Sequence, residues 1–195
     1  MAAPTARLLE TAATQHGLFT TAQAEAVNVR PEQVRRMVAH GDLEHRAYGV
    51  YRIPTVPFDE YTELMEAVLW ANGRGTIVGE SALLLWDLAD VNPRKIHIAV
   101  PPPYRPRRKD GDLYRVHQMH LTDADLDETH GVPVVTPALA IRQAIELGVP
   151  GDLVRQAIRR ATAREYIGEQ TASTLLALLQ ARSLGGKAKA HSDEH

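Results

Sequence analysis

The chain has 195 residues, 44% of them hydrophobic and 24% charged, with a formal net charge of −2 and no cysteine. Lack of cysteine excludes disulfides, thiolate metal sites and cysteine nucleophiles, and the near-neutral balance leaves any polyanion contact to local clusters. No window reaches the ~18 uninterrupted apolar residues of a membrane span, and "MAAPTARLLE" lacks the layout of an export signal, so the expectation is a cytoplasmic protein with no membrane partner.

In chain order, "TARLLETAATQHG" places Leu8, Leu9, Ala12 and Ala13 on one helical face and stops at Gly17. In "FTTAQAEAV" Thr20 and Gln23 have the spacing of a capping box, hydroxyl to backbone N–H and amide back again. Asn28 and Val29 form a tight turn, and Pro31 suits the first position of the next helix, where its missing N–H would be unpaired anyway. Val34, Met37 and Val38 make that helix's buried stripe. Opposite lie Glu32, Arg35, Arg36, Ala39 and His40, with Gln33 on the flank. "DLEHRAYGVYRIP" then alternates, with Tyr48-Gly49 at a hairpin turn.

Helix, helix, turn, helix, hairpin is the order of a winged helix-turn-helix. Arg30, Gln33, Arg35 and Arg36 occupy the first turns of the recognition helix, with His40 at its far end. Arginine donates two parallel bonds to a guanine edge, and glutamine can read adenine in the same bidentate way. In the hairpin, Arg46 and Arg52 are placed to straddle a phosphate backbone. Pro54 and Pro57 mark a boundary, giving a DNA-binding domain over residues 1–57.

Residues 58–182 read as an α+β domain, a small sheet covered by helices. "FDEYTELMEAVLWANG" carries a helical stripe of Tyr61, Leu64, Met65, Val68 and Leu69. "GTIVGESALLLWDL" is a strand followed by a buried helix. "KIHIAVP", "LYRVHQM" and "GVPVVT" are strands, with His97 expected on the less buried side of its strand. Thr136-Pro137 caps and starts "ALAIRQAIELG", and "GDLVRQAIRRATARE" and "EQTASTLLALLQA" are the last helices. From Ser183 to the end the text is Gly- and Lys-rich and is expected to be a disordered tail.

Motifs that would carry catalysis lack their context. Of Gly73, Gly75 and Gly79, the first two follow a helix and precede a strand, the reverse of a phosphate-cradling loop, and no lysine joins them. They read as a helix stop and a turn. Asp123, Asp125 and Asp127 suit capping and turn duty. A restriction-like nuclease would need a carboxylate two before a lysine; the four lysines are preceded there by Pro93, Arg107, Gly185 and Lys187. His117 and His120, three apart, would point to opposite strand faces and not share a metal. No catalytic residue, metal ligand or cofactor is assigned. Arg105, Arg107, Arg108 and Lys109, among prolines, form a basic loop that suits either a nucleic acid or an acidic protein face.

His16-Gly17, Phe19-Thr20, Gln23-Ala24, the Val34–Val38 run, Gly41-Asp42-Leu43 and Gly49-Val50-Tyr51 together resemble the winged helix of AbiEi-type antitoxins of bacterial type IV toxin–antitoxin systems. The resemblance continues more loosely through "GESALLLWDLADV", "KIHIAVP" and "GVPVVTPALAIRQAIELG". It implies a repressor of its own operon that binds double-stranded promoter DNA at inverted repeats. It also implies a C-terminal domain that counters a co-encoded nucleotidyltransferase-like toxin. Carried onto this chain, the DNA contacts are Gln33, Arg35 and Arg36, with Arg46 and Arg52 in the wing. Tyr48 stands where many relatives carry a basic residue, and its hydroxyl can reach a phosphate. The alternatives are an effector-responsive winged-helix transcription factor, or an enzyme that modifies the toxin by phosphoryl transfer.

Overall fold

The computed structural model describes residues 4–106 and 111–190. The chain divides into two compact units, cut at Ile77/Val78, Arg94/Lys95 and Val134/Val135. It is an α+β protein that begins with a winged helix-turn-helix.

The first unit opens with helix α1 (Pro4–Ala12), strand β1 (Leu18–Thr20), and helices α2 (Thr21–Ala26) and α3 (Pro31–His40). Strands β2 (Glu44–Ala47) and β3 (Val50–Arg52) follow, and the three strands pair in the order β1-β3-β2. Leu8, Ala12, Phe19, Ala24, Val29, Val34, Leu43 and Ile53 form the shared core. Burying a side chain such as Phe19 stabilises by roughly 1.5–3 kcal/mol. The Thr20–Gln23 capping box is made, with Gln23 N–H to Thr20 Oγ1 at 3.2 Å and Thr20 N–H to Gln23 Oε1 at 2.8 Å. Strand β1 was not anticipated, because three residues between a turn and a helix carry too little alternation to read.

Helix α4 (Thr62–Trp70) touches all three strands of the wing sheet and also the next sheet. That double packing buries every residue of the helix except Glu63, where the sequence showed only a stripe. For the same reason the expected boundary after Pro57 falls inside this unit.

The second sheet holds β4 (Thr76–Ile77), β5 (Ile96–Val100), β6 (Tyr114–Gln118), β7 (Leu126–Thr129) and β8 (Val132–Val135), in the order β6-β5-β4-β8-β7. Pairing is antiparallel between β4 and β5, and parallel for β4 with β8 and β5 with β6. β7 lies in the acidic stretch read as turn; the turn is there too, with Asp125 Oδ2 accepting from Thr122 N–H at 2.9 Å. His97 is 6% exposed, not on the open side of its strand. β5 lies inside the sheet, and the His97 ring packs on that of His117 at 5.3 Å.

The second unit contains helices α5 (Gly79–Leu85), α6 (Pro137–Leu147), α7 (Gly151–Ala163) and α8 (Glu169–Ala190). Gln143 Oε1 accepts the Gly79 N–H at 2.9 Å in the buried α5–α6 contact. Thr136 precedes Pro137 as expected but makes no side-chain cap. The stretch from Ser183 expected to be disordered continues α8 as far as Ala190. Residues 191–195 lie outside the described residues.

Candidate nucleic-acid interface

Local chemistry fixes the two elements that would meet a duplex. α3 begins at Pro31 and ends at Gly41, whose left-handed backbone (φ +83°) suits glycine. Thr21 N–H donates to Gly49 O at 3.0 Å, tying the wing turn to the start of α2. Arg7 Nη1 donates to Val27 O at 2.9 Å, holding the turn before α3.

Val34 faces the core at 1% exposure, which sends Glu32, Arg35, Arg36, Ala39 and His40 into solvent. Arg30, just before the helix, is exposed as well. Arg36 has no hydrogen-bond or ion-pair partner among the described residues. Arg35 Nη1 lies 3.8 Å from Glu32 Oε1, with both side chains mostly in water; such a pair is worth under ~1 kcal/mol and yields readily to a phosphate.

Two expected contact residues have other duties. Gln33 Oε1 accepts the Arg30 backbone N–H at 2.9 Å, so the oxygen that would read adenine caps the helix instead. Arg52 is 6% exposed. It lies on β3, the middle wing strand, on the same side as the buried Val50. Its guanidinium donates to Glu44 Oε2 at 3.0 Å and to Val56 O, which removes it from a phosphate contact.

The wing surface is left to Tyr48, 57% exposed, and Arg46. The Arg46 side chain is 32% exposed and donates through Nε to Glu66 Oε2 at 2.9 Å. Its guanidinium lies 5.3 Å from the centre of the Phe58 ring. Burial works against its charge, but the Glu66 bond and the charges of Glu66, Glu44 and Glu63 outweigh this and raise its pKa. Neither Phe58 nor Glu66 was singled out in the sequence; no spacing rule links a residue past the wing to one on a later helix.

Of the basic loop, Arg105 is exposed, and Arg107, Arg108 and Lys109 lie outside the described residues. Gly73 is left-handed (φ +68°) just after α4, and a Cβ on Gly75 would sit 3.0 Å from Val68 Cα, so both glycines serve the turn. Among the described residues no three His, Asp or Glu side chains converge as metal ligands. No helix of the described residues is long and apolar enough to cross a membrane.

A cleft of about 980 Å³ also opens in the first unit, lined by His16, Asp59, Met65, Glu128 and His130 among others. His16 joins its walls, Nδ1 to Asp59 Oδ2 at 2.7 Å and Nε2 to His130 O at 2.8 Å. Burial tends to raise the Asp59 pKa, but the His16 and Thr62 hydrogen bonds more than offset it and hold the carboxyl below its usual range.

Residues 6–54 match the family described as transcriptional regulator, AbiEi antitoxin. No curated protein matches the chain. Among solved structures, the RV2827C protein from Mycobacterium tuberculosis is similar in fold, at TM-score 0.53 and 17% identity over 93% of this chain and 75% of that one.

Proposed function

We propose that this chain, whose residues 6–54 match the AbiEi family of antitoxin transcriptional regulators, represses its own promoter and counters a toxin encoded beside it. The first 57 residues supply DNA binding, with α3 in the major groove and the wing on phosphate. Residues 58–182 act on the toxin, a nucleotidyltransferase-like enzyme, and the protein itself catalyses nothing. The observation that carries this reading is the outer face of α3, where Arg35 and Arg36 stand exposed beside Arg30 and His40. Arg36 is the base reader, and Arg35, Arg46 and Tyr48 are backbone contacts.

Co-expression tests it. The neighbouring toxin gene alone should arrest growth, and adding this chain should restore growth while silencing a reporter fused to its own promoter. Absence of both effects would refute the proposal. The cleft at His16 and Asp59 favours a second reading, an effector-responsive regulator. Protein refolded from urea, stripped of any small molecule, separates the two: undiminished promoter binding removes the effector reading.

A further inference from the structure

α4 is buried at every residue but Glu63 because two sheets pack against it, and such a helix is expected to be largely apolar. Glu66 breaks that pattern at 6% exposure. An ionised carboxylate in such a place is costly unless paired and hydrogen-bonded. Its two oxygens have separate partners: Oε2 takes the Arg46 Nε–H at 2.9 Å, and Oε1 lies 3.4 Å from the Tyr114 hydroxyl that donates to it. Tyr114 in turn packs its ring on Trp70 at 4.6 Å, so the carboxylate is anchored to α4 and β6.

Arg46 is thereby held on two sides, one edge on Glu66 and one ring face on Phe58. Its terminal nitrogens, Nη1 and Nη2, make no hydrogen bond with any described residue. We infer that Glu66, lying outside the winged helix, is the positioning residue for the wing's phosphate contact: it fixes Arg46 by Nε and leaves the Nη edge for the DNA backbone. A guanidinium held this way loses little side-chain freedom on binding, and that preorganisation improves affinity without a new contact to DNA. This inference rests on the promoter-binding reading above.

The salt slope identifies Arg46 as a phosphate contact, because each such contact adds ~0.9 to the slope of log K against log salt, and coupling between the Glu66 and Arg46 variants separates a positioning role from a merely structural one. Binding to the promoter duplex is measured by anisotropy over a salt series for wild type, Arg46→Ala, Glu66→Met and the double variant. Arg46→Ala should lower the slope by about 0.9; Glu66→Met, which leaves the arginine charged but unheld, should weaken binding severalfold, and it should weaken the Arg46→Ala variant no further. Glu66→Gln keeps an acceptor for Nε and should bind within about twofold of wild type. Wild-type affinity in folded Glu66→Met, or an equal loss from it in the Arg46→Ala background, overturns the positioning role alone. If wild type shows no salt-dependent binding to any duplex, the promoter reading falls and this role falls with it.

Discussion

Gln33 turns its carboxamide oxygen back on the Arg30 backbone N–H, 2.9 Å away, at the start of the helix proposed to read DNA. A residue with the chemistry of an adenine reader is thus occupied as a cap. Gln33→Ala should lose roughly 0.5–1 kcal/mol of stability in urea unfolding. The ranking of promoter variants by affinity should stay as in wild type, and a reordered ranking would show that Gln33 reads a base.

Arg52 and Arg36 should behave oppositely. Arg52 is committed inside the wing to Glu44 and the Val56 carbonyl. Arg52→Ala should cost about 1–3 kcal/mol of stability and leave the salt slope of DNA binding unchanged. Arg36→Ala should leave stability within about 0.5 kcal/mol, as an exposed change does. The pair is measured by urea unfolding and by the same salt series.

Gly17 is left-handed (φ +78°), and a Cβ there would lie 2.7 Å from Val56 Cβ. It ends the turn that brings β1 alongside β3, with Ile53 N–H donating to its carbonyl at 2.9 Å. Gly17→Ala combines strain with a clash and should destabilise by more than ~1 kcal/mol. A thermal melt unchanged from wild type would contradict that.

His97 makes stability depend on pH. Burial first, then the charges of His117 and Arg115, lower its pKa to about 4. In the unfolded chain histidine titrates near 6.5, so between those values the unfolded state binds more protons and stability falls as pH falls. The contribution is complete above about pH 6.5 and is lost as pH drops toward about 4. With ~1.4 kcal/mol per unit, the loss is on the order of 3 kcal/mol. Urea midpoints at pH 7 and at pH 4.5 should differ accordingly, and His97→Phe should shrink the difference.

The sequence exposed what depends on local chemistry. Thr20 and Gln23, Pro31, the Val34–Met37–Val38 stripe and the Tyr48-Gly49 turn lie within a few residues of what they act on, and each is found where its spacing places it. Pairings across long stretches of chain were hidden. Arg52 reads as a surface arginine until β1 is known to flank β3, and that strand is three residues long. Glu66 reads as one more charge on a helix until two sheets close over it. The exposure of Arg36 was legible because an exposed helix face needs only helical period to be seen, whereas the capping bond of Gln33 was hidden because capping and base reading ask for the same amide.

The most direct measurement is fluorescence anisotropy against the duplex upstream of this protein's own gene. A scrambled duplex and Arg36→Ala serve as controls over a range of salt. Selective binding that weakens steeply with salt, and a variant that loses about 1–3 kcal/mol and tolerates more sequences, are expected. Equal and weak binding to both duplexes, unaltered in Arg36→Ala, would contradict DNA reading by α3 and leave the winged helix as a surface for docking protein.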